Sequence, residues 1–502
     1  MSQQLVKEAF LSNLNGTTLL EISVGLPLAP LCILTRGLLL ILYFLHNGRS
    51  LCSMYGNFFL DFTVLIVPPV LSYTILASIF PFVILSIMAF CTGLIFLIYT
   101  KRTNYAQVSL KQILDDFLRT NLDPEYIPAI TSLRVFINLW TSINILAVDF
   151  PQYPRRYAKT ESYGTGVMDL GVGIFVFGNG VVCPEVRLKP GTMQHKFFYL
   201  IRQLLTVWPL LLLGFGRLMS VKAADYYEHV TEYGVHWNFF FTLAAIRMGA
   251  SLLLTVFPVH KAWIASVMLA VVYECFLEIT PLKMFILHGS NGQDSRTGFL
   301  NANREGIFSV IGYLAIYMAS VQVGLYLLGK RTARGWLKII CYFLLGIFLL
   351  FTCLYFAQVY IDTVSRRLAN LSFCIWIIAS CLVPFSCFLV VDLILVFTKL
   401  IVGGADIPSS WNILHSSPYK KSDLEFRHRK NESQSMCMIN AVNKNQLLHF
   451  LLANVLTGLV NMHVDTVHSS TLSAMLILHL YMFTNCLVMY MLQAKNIILK
   501  WW

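Results

Sequence analysis

Several short stretches of this chain concentrate side chains that can move protons or hold anions, inside a sequence otherwise poor in charge. The densest reads Asp149-Phe-Pro-Gln-Tyr-Pro-Arg155-Arg156-Tyr-Ala-Lys159-Thr-Glu161. A carboxylate paired with an amine can activate a hydroxyl: Asp149 takes the proton and Lys159 shares or relays it, with Arg155 and Arg156 lowering the pKa of the amine. The same arginines suit a phosphate. The residues fit equally a salt bridge at a membrane interface with two snorkelling arginines, so the spacing alone leaves both readings open.

A second stretch, His229-Val-Thr-Glu232-Tyr-Gly-Val-His236-Trp-Asn238, places His229, Glu232 and His236 on one face of a helix. A metal there lacks a closely spaced third strong ligand, and Gly234 weakens the helix, so no metal is expected. His236 reads as a substrate contact or general base, with an interfacial aromatic belt around Trp237 as the alternative. Asn303 and Arg304 begin an apolar run. Asn303 caps the helix, or the pair forms a phosphate site at its N-terminus. His468, three residues after Asp465, is a relay partner or a hydrogen bond to a neighbouring helix. Asp169 lies in an apolar window, costly without a partner arginine or a polar cavity.

The elements that position these residues are membrane helices. Of the 502 residues, 57% are hydrophobic and only 12% charged, more apolar surface than a water-soluble core can hide. The formal net charge of +12 is therefore read through its distribution over loops rather than as a sign of nucleic acid. The twelve cysteines lie singly and form no C-x-x-C pair. Windows of about 20 apolar residues fall at 26–46, 58–79, 81–100, 130–149, 164–183, 198–221, 236–257, 261–279, 306–328, 336–360, 373–398, 446–462 and 470–494. The expectation is an all-α polytopic membrane protein with about 13 transmembrane helices, or 12 where weakly separated windows merge.

With thirteen spans, one face collects 22 Lys and Arg, the other 10, and five lie inside spans. The positive-inside rule makes the richer face cytosolic, the N-terminus lumenal and the C-terminus cytosolic. The sequon Asn15-Gly16-Thr17 is then lumenal and open to glycosylation, and the one at Asn431 is cytosolic and idle. The chain divides into a lumenal segment 1–25, a membrane domain 26–398, a flexible cytosolic loop 399–445 rich in Ser, Lys, Arg and Asn, and 446–502 with the last two spans.

The segments Leu146-Ala-Val-Asp-Phe-Pro, Pro154-Arg-Arg-Tyr-Ala-Lys-Thr-Glu161 and Tyr163-Gly-Thr-Gly-Val-Met-Asp-Leu-Gly-Val-Gly173 resemble the GPI-inositol acyltransferase family, above all its mammalian branch. Glu232-Tyr-Gly-Val-His-Trp-Asn-Phe-Phe-Phe241, Leu300-Asn-Ala-Asn-Arg-Glu-Gly306 and Val464-Asp-Thr-Val-His-Ser-Ser470 add to the likeness. The resemblance implies an endoplasmic-reticulum membrane enzyme that moves a fatty acyl group, typically palmitoyl, from acyl-CoA to the inositol 2-hydroxyl of glucosaminyl-phosphatidylinositol. It implies Asp149 and Lys159 as the catalytic pair, acyl-CoA as co-substrate, and no cofactor or metal. Arg155, Arg156, Asp169, His236, Asn303, Arg304 and His468 are then candidate substrate contacts. A multi-span lipid transporter or flippase is the alternative. Transporters tend to show paired halves with broken helices at mid-membrane, whereas these polar clusters gather at one face.

The charge bias makes a topology test direct. Glycosidase treatment of protein from a secretory-pathway host is expected to shift the wild type but not Asn15→Gln, while Asn431→Gln leaves the shift unchanged. A glycan on Asn431 would reverse the orientation.

Overall fold

The computed structural model describes residues 14–49, 51, 53–103, 109–187, 196–223, 230–403, 405, 407–411 and 436–499. Thirteen of their helices form the frame: α1 Leu28–Asn47, α2 Met54–Leu65, α3 Phe80–Thr103, α4 Pro128–Ala147, α5 Leu170–Val181, α6 Trp208–Ala223, α7 Phe239–Val256, α8 Ala262–Ile279, α9 Arg304–Leu327, α10 Ala333–Tyr360, α11 Leu371–Val402, α12 Gln446–His463 and α13 Thr471–Ala494. The helices are apolar on nearly all sides, as lipid on one side and protein on the other require. Polar residues set their ends. The Thr332 and Ser470 hydroxyls and the Asn370 side chain each accept a backbone N–H in the first turn of the helix that follows. α11 lies at the centre, packed against α10, α1, α4, α9 and α5. α10 sits outside it, with Phe348 and Tyr355 turned outward to where acyl chains would lie.

Each apolar window overlaps one of these helices, yet only eleven helical stretches among the described residues are long and apolar enough to cross a bilayer. α12 carries Gln446, His449, Asn454 and Asn461 and falls short in apolarity. α5 has 12 residues, about 18 Å of helix against a hydrocarbon core of about 30 Å. The window at 164–183 thus overstates the fifth span. Gly164 has φ +114°, where its added Cβ would meet the Asn15 carbonyl oxygen at 2.5 Å. A hydropathy window counts side chains and does not register that turn, so Asp169, read as lying inside a span, instead precedes α5.

The expected loop 399–445 also changes at its edges. α11 runs on to Val402, and Ala405, Ile407 and Trp411 are buried. Met438–Lys444 is a helix whose leading residues Cys437 and Met438 are fully enclosed. These apolar residues flank a polar run, and composition averaged over the whole stretch hides them. Residues 412–435, with Asn431, lie outside the described residues.

Direct bonds sort the connections onto two faces. On one, Gly16 forms a parallel bridge with Thr165, and Thr165 Oγ1 donates to the Thr17 carbonyl at 2.6 Å. Ser365 donates to the Ser162 carbonyl, and Gln152 Nε2 to the Ser469 carbonyl at 3.3 Å. On the other, Asn121–Leu122 pairs antiparallel with Arg331–Thr332, and Trp411 Nε1 donates to the Asp123 carbonyl at 3.1 Å. The second face is further secured inside the helices. Arg36 and Asp61, 2% and 1% exposed, form an ion pair; Arg36 also donates to the Pro408 carbonyl, and the Met438 N–H donates to Asp61.

A buried pair of this kind punishes the loss of one partner more than the loss of both. Asp61→Ala is expected to lower stability by about 3–5 kcal/mol, seen as a depressed unfolding midpoint in detergent. Arg36→Met with Asp61→Leu is expected to recover most of it. Equal loss in the single and double variants would contradict this role.

Candidate functional site

The bonded face gathers most of the sequence-selected residues. Pro151 and Pro154 stop α4 from continuing, and the chain turns through 3.2 Å hydrogen bonds from the Asp149 N–H to the Leu146 carbonyl and from the Tyr153 N–H to the Phe150 carbonyl. Arg155 fixes that turn: its Nη2 donates to the carbonyls of Val148, Phe150 and Tyr153 at 2.8, 3.1 and 3.0 Å. Arg156 pairs with Glu21 at 2.8 Å and lies over the Tyr157 ring, whose hydroxyl also donates to Glu21. The two arginines therefore hold the loop, and neither is directed at Lys159.

Asp149 is 8% exposed and accepts a 2.7 Å hydrogen bond from Asn461 Nδ2, near the end of α12. Lys159 is 36% exposed and its ammonium pairs at 2.6 Å with Glu232, not with Asp149. The expected Asp149–Lys159 contact is thus replaced by two separate partnerships on one loop. Glu232 is the residue that sequence reasoning passed over, having weighed it only as a metal ligand beside His229, which lies outside the described residues. An available signal was an acid in one loop facing a loop with three cations.

Burial alone would raise the Glu232 carboxyl, but the charge of Lys159, then that of Arg366, outweighs it and holds the group down at about 2. A depressed carboxylate contributes stability in full above its ordinary value of 4.5 and loses it only as pH falls through the folded value. The Lys159–Glu232 pair therefore persists at neutral pH.

Asp169 anchors the segment carrying Lys159. Fully buried, it accepts from the Thr160 N–H at 3.1 Å, the Thr160 hydroxyl at 2.9 Å, the Gly166 N–H at 2.8 Å and Arg366 Nε at 2.7 Å. The arginine partner that a buried aspartate requires is thus Arg366, in the turn between α10 and α11. With its oxygens engaged this way, Asp169 serves the loop rather than a substrate.

Asn303 and Arg304 serve their neighbours similarly. The Asn303 side chain does not cap α9; its Oδ1 accepts the N–H groups of His236 and Trp237 at 2.8 and 3.0 Å. Gly234 closes that contact at φ +110°, where a Cβ would meet the Ala302 carbonyl at 2.5 Å. The short helix Val230–Tyr233, and with it Glu232, is thereby docked against the start of α9. Arg304 is fully buried and donates to the carbonyls of Ile286, Ser295 and Asn301 and to Asp294. Its guanidinium faces the chain itself, not an open phosphate site. His236 is partly exposed. His468, 71% exposed, pairs with Asp465 at 2.9 Å in its own turn. Asn15 is exposed beside the Gly16–Thr165 bridge.

An apolar, partly open hollow lies between the helices, lined among others by Ala29, Trp140, Ile143, Ser380 and Phe388. A smaller pocket shares Gly25, Leu26, Tyr73, Trp140 and Leu170 with it and continues to Glu21 and Tyr157. The loop that presents Lys159 reaches, through Tyr157, the narrow pocket that adjoins this apolar hollow between helices. Such an arrangement can keep a long hydrocarbon dry and its reacting end near charge.

A family model described as GWT1 matches residues 3–492. The chain is 49% identical to the glucosaminyl-phosphatidylinositol-acyltransferase PIGW of Bos taurus, over 100% of both chains. It is 47% identical to that of Homo sapiens, again over 100% of both. The GPI-anchored wall transfer protein 1 of Saccharomyces cerevisiae is 32% identical over 98% of each chain. Matches of this length and identity leave no segment of the membrane domain outside the likeness, and the chain belongs to the GWT1 family.

Proposed function

We propose that this chain is an O-acyltransferase of GPI-anchor biosynthesis in the endoplasmic-reticulum membrane. It moves a fatty acyl group, palmitoyl by family likeness, from acyl-CoA to the inositol 2-hydroxyl of glucosaminyl-phosphatidylinositol. The observation that carries this reading is the 49% identity, end to end, with a relative named for acyl transfer to that glycolipid. The site geometry supports it: an acid and an amine lie on one anchored loop whose Tyr157 lines a pocket adjoining an apolar hollow between helices. The bonded face carrying them is the lumenal one, following the charge bias over loops.

In this mechanism Asp149 removes the inositol hydroxyl proton as the oxygen attacks the thioester carbonyl. The carbonyl–sulfur bond breaks, the thiolate leaves, and Lys159 passes it a proton, giving the ester and free CoA. A thiolate leaves readily, so no step requires a metal. Asn461, donating to Asp149 at 2.7 Å, orients the base. Seating the acyl chain in the cavity supplies binding energy remote from the reacting bond, which helps position the thioester.

Positioned general-base catalysis contributes about 10²–10⁴ in rate. Asp149→Asn is expected to lose roughly that factor while remaining folded and membrane-inserted, with Lys159→Ala similarly affected and the double variant hardly worse than either. Acyl transfer per folded molecule decides it: near-normal turnover in Asp149→Asn removes that residue from the chemistry. For the cavity, Ala29→Phe is expected to shift preference toward shorter acyl donors, measured across thioesters of graded chain length. An unchanged chain-length profile would place the acyl group elsewhere.

A further inference from the structure

Glu232 differs from Asp169, Glu305 and Glu21 in how it is held. Asp169 and Glu305 are fully buried and bonded to arginines, with Glu305 gripped by Arg296 at 2.7 Å and Arg367 at 2.8 Å. Glu21 is shared by Arg156 and Tyr157. Among the described residues Glu232 is paired directly with one lysine ammonium at 2.6 Å, on a side chain 36% exposed, while the charges of Arg366 and Arg217 act on it at longer range. A lysine stem is long and flexible, and its ammonium is a compact point charge that another ammonium can replace. The carboxylate itself is fixed from behind, because Val230–Tyr233 is docked through Gly234 and the Val235 N–H onto the Ala302 carbonyl.

The acceptor of the reaction proposed above carries such an ammonium. A glucosaminyl group has a primary amine, protonated at neutral pH, on the sugar attached to the inositol that is acylated. We propose that Glu232 receives the acceptor's glucosamine ammonium by exchange with Lys159, so that binding the correct acceptor frees Lys159 to act with Asp149. The exchange conserves local charge, one cation leaving the carboxylate as another arrives, with Arg366 remaining locked to Asp169 at 2.7 Å. Without the amine, Lys159 stays on Glu232 and the thioester is spared attack by water. Glu232 then acts as a specificity-determining residue that couples acceptor recognition to assembly of the catalytic pair, a form of induced fit.

This inference rests on the acyl-transfer reading, and one experiment separates the two. Full-length protein in lipid nanodiscs receives labelled acyl-CoA and either short-chain glucosaminyl-phosphatidylinositol or its glucosyl counterpart, which has a hydroxyl in place of the amine. For the wild type, kcat/KM is expected to favour the amine by roughly 10- to 100-fold, the range for a hydrogen bond to a charged group. Glu232→Gln is expected to bring that ratio close to one with the KM for acyl-CoA unchanged, and Glu232→Asp to retain most of it. Equal use of both acceptors by the wild type, or an undiminished ratio in Glu232→Gln, overturns the assignment. If Glu232→Gln fails to fold, the wild-type acceptor pair and the Glu232→Asp ratio still decide it. Transfer to neither acceptor by the wild type overturns the acyl-transfer reading itself.

Discussion

A carboxylate removed from water loses far more solvation energy than any one hydrogen bond returns, so a buried aspartate holds its place only when several donors converge on it. Asp169 meets that requirement with two backbone N–H groups, one hydroxyl and the guanidinium of Arg366. Each donor comes from a segment the site needs. Thr160 follows Lys159, Gly166 leads into α5, and Arg366 belongs to the turn between α10 and α11, 197 residues further along the chain. Arg366 closes the arrangement by donating back to the Thr160 carbonyl at 3.2 Å. The position of Lys159 relative to Glu232 thus follows from a single desolvated charge, and displacing any one donor leaves that charge uncompensated.

The membrane character and the helical frame were legible in the sequence because lipid imposes a composition and a length that simple counting detects. The charged loop at 149–161 was legible for a related reason, since a cluster of cations against the prevailing bias requires an explanation. Partnerships were not legible. Asp149 and Lys159 are neighbours in sequence, yet one bonds to Asn461 and the other to Glu232, contacts made across 312 and 73 residues. Local spacing holds no information on either. Arg304 illustrates the limit differently: a helix N-terminus beside an arginine suggests an anion, but whether the guanidinium turns outward depends on carbonyls of Ile286 and Ser295 that only the fold brings near. The fifth window failed because its valines and phenylalanines set the apolar average while its glycines permit backbone that a span cannot use.

Chemistry and lipid are kept apart by depth. Polar side chains with catalytic potential occupy connections on one face, while the hollow between the helices is lined almost wholly by hydrocarbon and aromatic groups. Tyr157 and Glu21 belong to both, since they border the narrow pocket leading inward and also steady Arg156. A substrate with a charged head and an apolar tail therefore meets, in succession, the two environments its own halves prefer.

The bridge between Gly16 and Thr165 carries a consequence for how the chain is made. Its two strands are separated by 149 residues, with four of the frame helices between them. At ribosomal speeds of about 5–20 residues per second, the later strand emerges roughly 7–30 s after the earlier one. During that interval the residues around Gly16 have no docking partner while α1 to α4 are being inserted. The strap is consequently a late closure in assembly: the earliest described residues are among the last to find their place, and the loop bearing Lys159 is complete only after they do.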